Sequence, residues 1–284
     1  MPQESKSECP EPEQAQQAEA TAPQKSLGRP SAKEIFTEVA KNARRELART
    51  DLALGISAVG GGAFLGLSAL GMAFVGVLLG HTSADHLIAS MFYPAGFIVV
   101  IVGRSQLFTE NTLYPAALVL AERKHVLNTL RLWTVVLPAN LAGALGFAAI
   151  AVLTPGIDRS FVNAMSEQGL RALDHPFGAV FWSGVIAGWL IALTAWLVSG
   201  SHSITGSVML IWMLTFFIAL GNFAHCIATS CEILVTVLNG QAAWSAYGWW
   251  LLAAVLGNIV GGVVLVALLE YGQAIFAEES KPEE

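Results

Sequence analysis

Long apolar runs dominate the chain from about residue 52 onwards. A helix needs about 20 apolar residues to cross a bilayer, and six runs reach that length: 52–80, 86–120, 129–154, 177–199, 204–239 and 244–270. Of the 284 residues, 54% are hydrophobic and only 13% are charged. This pattern predicts an all-α membrane protein and excludes a nucleic-acid-binding protein, a soluble enzyme or a disordered chain.

The segments outside the runs have distinct compositions. The first 30 residues are polar and lack the apolar core of a signal peptide, so we expect disorder there. Ser31 and Glu34 match a capping box, and the helix that follows is amphipathic with a basic face. That helix lies either in the cytoplasmic headgroup layer or against the protein's own mouth. The predicted segments are a disordered tail (1–30), a cytoplasmic amphipathic helix (31–50), a transmembrane transporter domain (51–272) and an acidic tail (273–284).

Basic residues are unevenly distributed between the two ends of the runs. Seven of the 15 lysines and arginines lie at 25–49, just before the first run, and Arg123 and Lys124 follow the second. Of the alternate loops, those at 81–85 and 240–243 hold none, and the loop at 155–176 holds two, Arg159 and Arg171. The positive-inside rule therefore predicts that both termini are cytoplasmic in a bacterial-type inner (plasma) membrane, which the chain crosses several times.

The second and fifth runs are too long for one straight helix, and each is interrupted by polar residues. The interruptions cover residues 104–112 and 221–232. Backbone that leaves the helical path at membrane depth is tolerated only against protein or a water-filled cavity. Both interruptions are therefore predicted to line a path through the protein.

An internal repeat relates the two halves of the chain. The motif Asn140-Leu-Ala-Gly143 recurs as Asn258-Ile-Val-Gly261, 118 positions later. The same offset matches residues in the other runs: Leu107 with His225, Gly66 with Gly184, and Ala69 with Ala187. Since three spans is an odd number, the second copy is inverted relative to the first. The predicted fold is six transmembrane helices in two inverted three-helix repeats, with the second and fifth helices interrupted.

His225 is the one histidine deep inside a run. An ionisable group at membrane depth is costly unless it is used or paired, and imidazole titrates near neutrality. It could lend a proton or a positive field to a passing anion, or it could be a hydrogen-bonded core residue. Other polar side chains lie where the helices begin again after the breaks: Thr109, Asn111, Thr112, Thr229 and Ser230. They either attract an anion to these helix N-termini or merely cap them.

Apolar and charged residues flank the same breaks. Leu107 and Phe108 are predicted either to form a dehydrating constriction or to pack as ordinary core. Arg104 and Glu232 lie inside runs, where an unpaired charge is expensive. We predict either that they form an ion pair with each other or that they reach an interface. The sequence contains no recognisable metal-ligand, phosphate-binding or nucleophile motif, so it predicts no metal, cofactor or enzymatic activity.

Together, the motifs around these breaks resemble the formate/nitrite transporter family over residues 35–272. The stretches that carry the resemblance are Pro94–Phe97, Gln106–Thr112, Asn140–Gly143, Phe223–Thr229 and Gly257–Gly262. The resemblance implies an aquaporin-like protomer and a homopentamer with one pore in each subunit. It also implies passage of small monovalent anions such as formate, nitrite, hydrosulfide or lactate.

The resemblance assigns roles by position and also reveals departures. Thr109 corresponds to the loop threonine, His225 to the central histidine and Asn258 to the sixth-helix asparagine. Leu107 and Phe108 belong to the constriction, and Ile218 is a predicted path residue where the family often has a phenylalanine. The positions that depart from the family pattern are Arg104, Gln106, Arg171, Gly188, Ile218, Ala224 and Thr229. The cargo is therefore left open, as are two alternatives: a neutral-solute channel and a membrane sensor or scaffold without transport.

Overall fold

A computed structural model describes residues 30–80 and 84–276, and every regular element in these ranges is helical. Residues 1–29 of the predicted N-terminal tail and residues 277–284 of the predicted C-terminal tail lie outside the described residues. The α-helices, in chain order, are α1 (Ala32–Leu47), α2 (Asp51–Leu79), α3 (Asp85–Ser90), α4 (Pro94–Val102), α5 (Tyr114–Glu122), α6 (Val126–Leu153), α7 (Arg159–Leu173), α8 (Phe177–Gly200), α9 (Ile204–Leu220), α10 (Ala228–Leu238), α11 (Trp244–Val260) and α12 (Leu269–Phe276). A 3₁₀ turn (Glu110–Thr112) precedes α5, and a π-helical stretch (Gly261–Leu268) joins α11 to α12.

Within the described residues, five helical stretches are long and apolar enough to cross a bilayer: Asp51–Leu79, Asp85–Val102, Val126–Leu153, Phe177–Gly200 and Trp244–Phe276. Helices α9 and α10 are apolar but shorter. Large apolar side chains on the outer faces of the helices are exposed, among them Ile56, Trp182 and Met209. Faces of this kind suit lipid or a neighbouring subunit, and the prediction of an all-α membrane protein is confirmed.

Glycines bring two pairs of helices into backbone contact. Helix α2 packs on α6, and α8 packs on α11 and the π-helical stretch. A Cβ atom added to Gly62 would collide with the carbonyl oxygen of Asn140, and one added to Gly188 would collide with that of Asn258. Small residues at such positions let helices approach closely enough for dense packing in a membrane.

The contacts correct the predicted register of the repeat. Gly62 and Gly188 make equivalent contacts although they are 126 positions apart, so the predicted matches of Gly66 with Gly184 and Ala69 with Ala187 are wrong. At the first break, the Ser57 hydroxyl accepts a hydrogen bond from the Gln106 amide, 49 positions later. At the second break, the Ser183 hydroxyl accepts one from the Ala224 amide, 41 positions later. The first half therefore has eight more residues between its first helix and its break, and the extra length contains α3.

Two local features differ from the sequence prediction. The segment 155–176 is predicted as a loop but contains a helix, and the second run is predicted to begin as one helix but begins as two. Helix α7 lies in the first of these segments and buries Val162 and Met165 against the bundle. Its N-cap is Asp158, whose pKa is held below its usual value by hydrogen bonds from the Ser160 hydroxyl and amide. A turn at residues 91–93 separates α3 from α4.

Helix α1 begins with the capping box that the sequence indicated. The Glu34 carboxylate accepts from the Ser31 amide at 2.7 Å, and the Ser31 hydroxyl accepts from the Glu34 amide at 3.3 Å. Val39, in the middle of the helix, is fully buried against α5 and α8. One face of α1 therefore packs on the helical bundle.

An ion-pair cluster holds the same helix at its other end. Arg44 of α1 pairs with Glu122 at the end of α5. Hydrogen bonds from Lys124, Arg44 and His125 lower the pKa of Glu122 to about 2. The carboxylate is therefore ionised at all physiological pH values, and the tie between α1 and α5 does not titrate.

Gly62→Ala tests the backbone contact between α2 and α6. The added methyl group would collide with backbone atoms of Asn140, and overpacking of this kind costs about 1–3 kcal/mol. We expect a lower midpoint of thermal unfolding in detergent, followed by the loss of monodisperse protein. Gly55→Ala on the same helix is the control because its added Cβ meets no atom within 4 Å. Equal stability of the two variants would contradict the close contact.

Candidate functional site

Two helices end in the same way in the middle of the protein. After α4 and after α9, Arg104 and Asn222 adopt left-handed backbone with φ of 59° and 51°. The amide of the following residue then reaches back: Ser105 donates to the Val100 carbonyl, and the equivalent bond closes the end of α9, both at 2.9 Å. A left-handed residue that closes the last turn is a common helix ending, and it sends the chain away from the helix axis.

An asparagine side chain holds each break in place. The Asn140 side-chain oxygen accepts from the Phe108 amide at 2.9 Å, and its nitrogen donates to the carbonyls of Ala58 at 2.7 Å and Gln106 at 2.9 Å. The Asn140 side chain is fully buried. It thus satisfies backbone groups that no water reaches.

Asn258 repeats this arrangement at the second break. Its side-chain oxygen accepts from the Cys226 amide at 2.9 Å, and its nitrogen donates to the carbonyls of Gly184 at 2.8 Å and Ala224 at 2.9 Å. The breaks therefore have the same supports on two different pairs of helices.

The two breaks meet at a hydrogen bond between Thr109 and His225. The Thr109 hydroxyl lies 2.8 Å from Nε2 of His225, and both residues have 0% exposure. On the other side of the ring, Nδ1 accepts from the amides of Ala228 at 3.0 Å and Ile227 at 3.3 Å. His225 therefore caps α10 and contacts the other break at the same time.

These contacts determine which ring nitrogen carries the proton. Backbone amides can only donate, so Nδ1 of His225 is the acceptor and the neutral ring carries its proton on Nε2. The Nε2–H group then donates to the Thr109 oxygen. The Thr109 hydroxyl proton is consequently available for another acceptor. Phe97 packs its ring edge-on to His225 with centroids 5.0 Å apart.

A cavity of about 320 Å³ lies on one side of this hydrogen bond. We call it the first cavity. It is lined by α1, by the first break and by the residues between α8 and α9, and its polar lining includes Arg104, Gln106, Glu110 and Asn111. Leu107 also lines it.

A larger cavity of about 670 Å³, the second cavity, lies on the other side. It is lined by α3, α7, Asn222 and the first turns of α10. His175, which precedes α8, lines the second cavity, and Ser201, which follows α8, lines the first. A helix of 24 residues spans about 36 Å, so the two cavities open at opposite ends of the protein.

The predicted path residues divide between the cavities and the wall that separates them. Leu107 and Asn111 line the first cavity, whereas Ile218 and Thr229 line the second. Thr109 and His225 line neither, since they are buried between the two cavities.

Phe108 and Asn258 do not lie where a path-lining residue is expected. The Phe108 ring packs edge-on against Trp133 at 5.9 Å, so it belongs to the core, and its contacts do not support the constriction role predicted for it. All polar atoms of the Asn258 side chain bind backbone groups, and the residue lines neither cavity. The Asn258 side chain therefore holds the break in place.

The predicted ion pair between Arg104 and Glu232 is wrong. Arg104 lines the first cavity and Glu232 lines the second. Among the described residues, no ion pair joins them. The reason is the antiparallel arrangement of the breaks: Arg104 precedes the first break and Glu232 follows the second by about one turn, so each faces a different end of the protein.

Four residues that shape the site were not predicted from the sequence. Phe97 and Tyr93 come from an apolar run and gave no signal that separated them from ordinary core. Glu110 lines the first cavity and is 8% exposed; it stands inside the first interruption and could have been identified as a charge there. Glu46 of α1 also lines this cavity.

Metal binding has no basis in the described part of the chain. No group of three or more His, Cys, Asp or Glu side chains in those ranges is arranged to hold an ion. The polar groups at the site are instead hydroxyls, amides, an imidazole and isolated charges.

The fold and the site define a class of protein: a helical membrane protein with two opposed cavities and a closed polar junction between them. Comparison with known proteins identifies the family within this class. The formate/nitrite transporter family model matches residues 33–272. This chain belongs to that family.

Relatives and solved structures agree with this assignment. The inner membrane protein YfdC of Escherichia coli (strain K12) is 33% identical over 244 residues, which are 84% of this chain and 77% of YfdC. A solved FNT family ion channel superposes with a TM-score of 0.75 at 22% identity, covering 87% of this chain and 99% of that one. A pentameric formate channel with formate bound superposes with a TM-score of 0.62 at 21% identity, covering 81% and 97%.

One departure from the family pattern has a structural explanation. The side-chain nitrogen of Gln106 donates to the Glu46 carboxylate of α1 at 2.7 Å, and its oxygen accepts from Asn111 at 2.9 Å. A glutamate at position 106 would place a second negative charge against Glu46 and could not donate to it. The amide therefore suits the contact between α1 and the first break.

Asn258→Leu tests the role of the asparagine at the second break. The leucine fills similar space but leaves the Cys226 amide and two carbonyls without their partners. An unsatisfied buried group costs about 1–3 kcal/mol. We expect a large drop in the thermal midpoint and poor recovery of folded protein, whereas Asn128→Ala, at an exposed position of α6, has no such effect. A stable Asn258→Leu protein would contradict the assignment.

Proposed function

We propose that this protein is a transmembrane channel or transporter for a small monovalent anion such as formate or nitrite. The single observation that carries the proposal is the hydrogen bond between Thr109 and His225. It separates two cavities that open at opposite ends of the bundle. A permeant molecule has to pass this junction, where polar groups replace part of its hydration. Membership of the formate/nitrite transporter family supports the anion as cargo.

The protomer architecture that we propose is aquaporin-like, with six spans in two inverted repeats. In it, α3 and α4 with α5 form the second span, and α9 with α10 form the fifth. The matched helix endings at Arg104 and Asn222 support this arrangement. The matched asparagine contacts at Asn140 and Asn258 support it independently.

The proposed placement is multi-pass in a bacterial inner membrane, with both termini in the cytoplasm. The basic face of α1 supports it, because α1 borders the first cavity, which then faces the cytoplasm. The proposed assembly is a homopentamer with one path in each protomer. It is supported by the fold shared with a pentameric formate channel and by exposed apolar outer faces.

In this proposal Thr109 and His225 act as a fixed pair of hydrogen-bond donors. Nε2–H of His225 donates to the Thr109 oxygen, which leaves the Thr109 hydroxyl proton to be donated to an anion at the junction. A donor that is already oriented stabilises a small anion without reorganisation of its surroundings. Leu107, on the first-cavity side, limits the water that enters with it.

The geometry argues against His225 as the source of a proton for the anion. Two backbone amides already donate to Nδ1, so a second ring proton would require both bonds to break. Loss of the proton on Nε2 would produce an imidazolate, which is far more basic than formate or nitrite. If protons accompany the anion, another group has to exchange them.

A flux assay in proteoliposomes tests the proposed function. Formate, nitrite, hydrosulfide, acetate and lactate are offered at about pH 5.5 and about pH 7.5, which bracket the ordinary titration of histidine. We expect flux of at least one anion, and a roughly tenfold or larger loss in His225→Ala and Thr109→Val, since each removes the donor at the junction. Thr109→Ser keeps the hydroxyl and is expected to retain most of the flux.

The controls in this assay separate function from folding. Each variant is first checked for monodispersity and thermal midpoint, and Asn128→Ala serves as the exposed control. If folded wild-type protein transports a neutral solute such as glycerol but no anion, the proposed anion transport is wrong. The protein would then be a neutral-solute channel. Wild-type flux in His225→Ala would remove the proposed role of the junction.

A further inference from the structure

The second cavity contains a buried carboxyl group that the proposed function does not use. Glu232 lines this cavity in the second turn of α10, and only 7% of the residue is exposed. Thr229 lies three positions earlier on the same helix and lines the same cavity. The carboxyl group therefore stands about one helical turn from the residues that cap α10 at the junction.

Glu232 has little compensation for its charge. Among the described residues, its side chain forms no ion pair and no hydrogen bond. The charge that acts on it is that of Arg171, on α7. Arg171 is also the one arginine or lysine among the residues that line the second cavity.

The remaining ionisable groups of this cavity come from the other elements around it. They are Asp85 and His86 of α3, Tyr93 before α4, Glu167 of α7, and Asp174 and His175 after α7. Tyr93 is buried, with 3% exposure. The others are all more exposed than Glu232. The part of α2 that lines the cavity contributes no charge. His86 has its own partner, since its Nε2 lies 3.1 Å from the carbonyl oxygen of Leu220.

An anion that enters this cavity meets Glu232 before it reaches the junction. If Glu232 were ionised, two negative charges would then share the inner end of the cavity with the single guanidinium of Arg171. Neighbouring like charges of this kind are relieved when one of them takes up a proton. By linkage, proton binding at Glu232 strengthens anion binding, and anion binding strengthens proton binding by the same factor.

We propose that Glu232 is the proton-coupling residue of this transporter, taking up one proton when the anion enters the second cavity. The proton can then move from the Glu232 oxygen to the anion: one O–H bond breaks and another forms, which leaves a carboxylate and the neutral acid. The neutral acid crosses the apolar part of the path at lower cost than the anion. Glu232 is protonated again from the solution on the second-cavity side, so one proton accompanies each anion.

The inference rests on the proposed function, because it needs an anion as the cargo.

The test measures proton uptake during formate binding and formate transport. Purified protein in weakly buffered detergent solution is mixed with formate, and a pH indicator reports the protons that are taken up. The measurement is made at an alkaline pH, at which Glu232 is ionised before formate binds. There the wild-type protein is expected to take up one proton per bound formate, because one carboxyl group changes state. In Glu232→Gln, which keeps the shape but not the titration, we expect proton uptake to fall to near zero while formate still binds.

Transport provides the second measurement. In proteoliposomes, the apparent formate affinity of the wild type is expected to improve at least severalfold from about pH 9 to about pH 6.5. The affinity of Glu232→Gln is expected to change little over this range. Glu270→Gln is the matched control, because Glu270 of α12 lies outside both cavities and its substitution should preserve the wild-type behaviour.

The outcomes separate this inference from the proposed function. Proton uptake by Glu232→Gln that equals the wild-type value would overturn the inference while anion transport stands. Loss of the pH effect in Glu270→Gln as well would also overturn it, since the effect would then not belong to Glu232. If folded wild-type protein transports none of the five anions of the flux assay, the proposed function fails and the inference fails with it. If it transports one of them other than formate, that anion replaces formate in both measurements.

Discussion

Two asparagine side chains make the rest of this structure possible. Inside a bilayer no water is available for backbone groups that leave a helix, and each orphaned group costs several kcal/mol. Asn140 and Asn258 each bind one amide and two carbonyls at a break, so the chain can depart from helical geometry at membrane depth. The glycines opposite them are required because the breaks and helices lie in backbone contact.

The breaks place polar groups at the centre of an otherwise apolar bundle. Capping of α10 by Nδ1 of His225 fixes the ring, and the fixed ring positions the Thr109 hydroxyl. Structural and functional interpretations of His225 are therefore not alternatives, because the hydrogen bonds that complete the helix also orient the donor. These bonds orient the groups of the junction around a neutral ring, and the charged side chains nearby line the cavities on either side.

The two cavities differ in how their charges are arranged. In the first, Gln106 joins the break to Glu46 of α1, so the amphipathic helix is part of the cavity wall. In the second, a buried carboxyl group on α10 faces Arg171 on α7. This asymmetry is superimposed on a symmetric pair of breaks, and it gives the two ends of the path different chemistry.

The sequence by itself determined the helical membrane class, both interruptions and the capping box of α1, and it placed Thr109 and His225 at the two breaks. These follow from local composition and from a repeat whose offset holds at the breaks. The tertiary structure alone decided which residues meet. It separated Arg104 from Glu232, turned Asn258 and Phe108 away from the cavities, and shifted the first helix by eight positions, because the direction of a side chain depends on helix packing that no local pattern records.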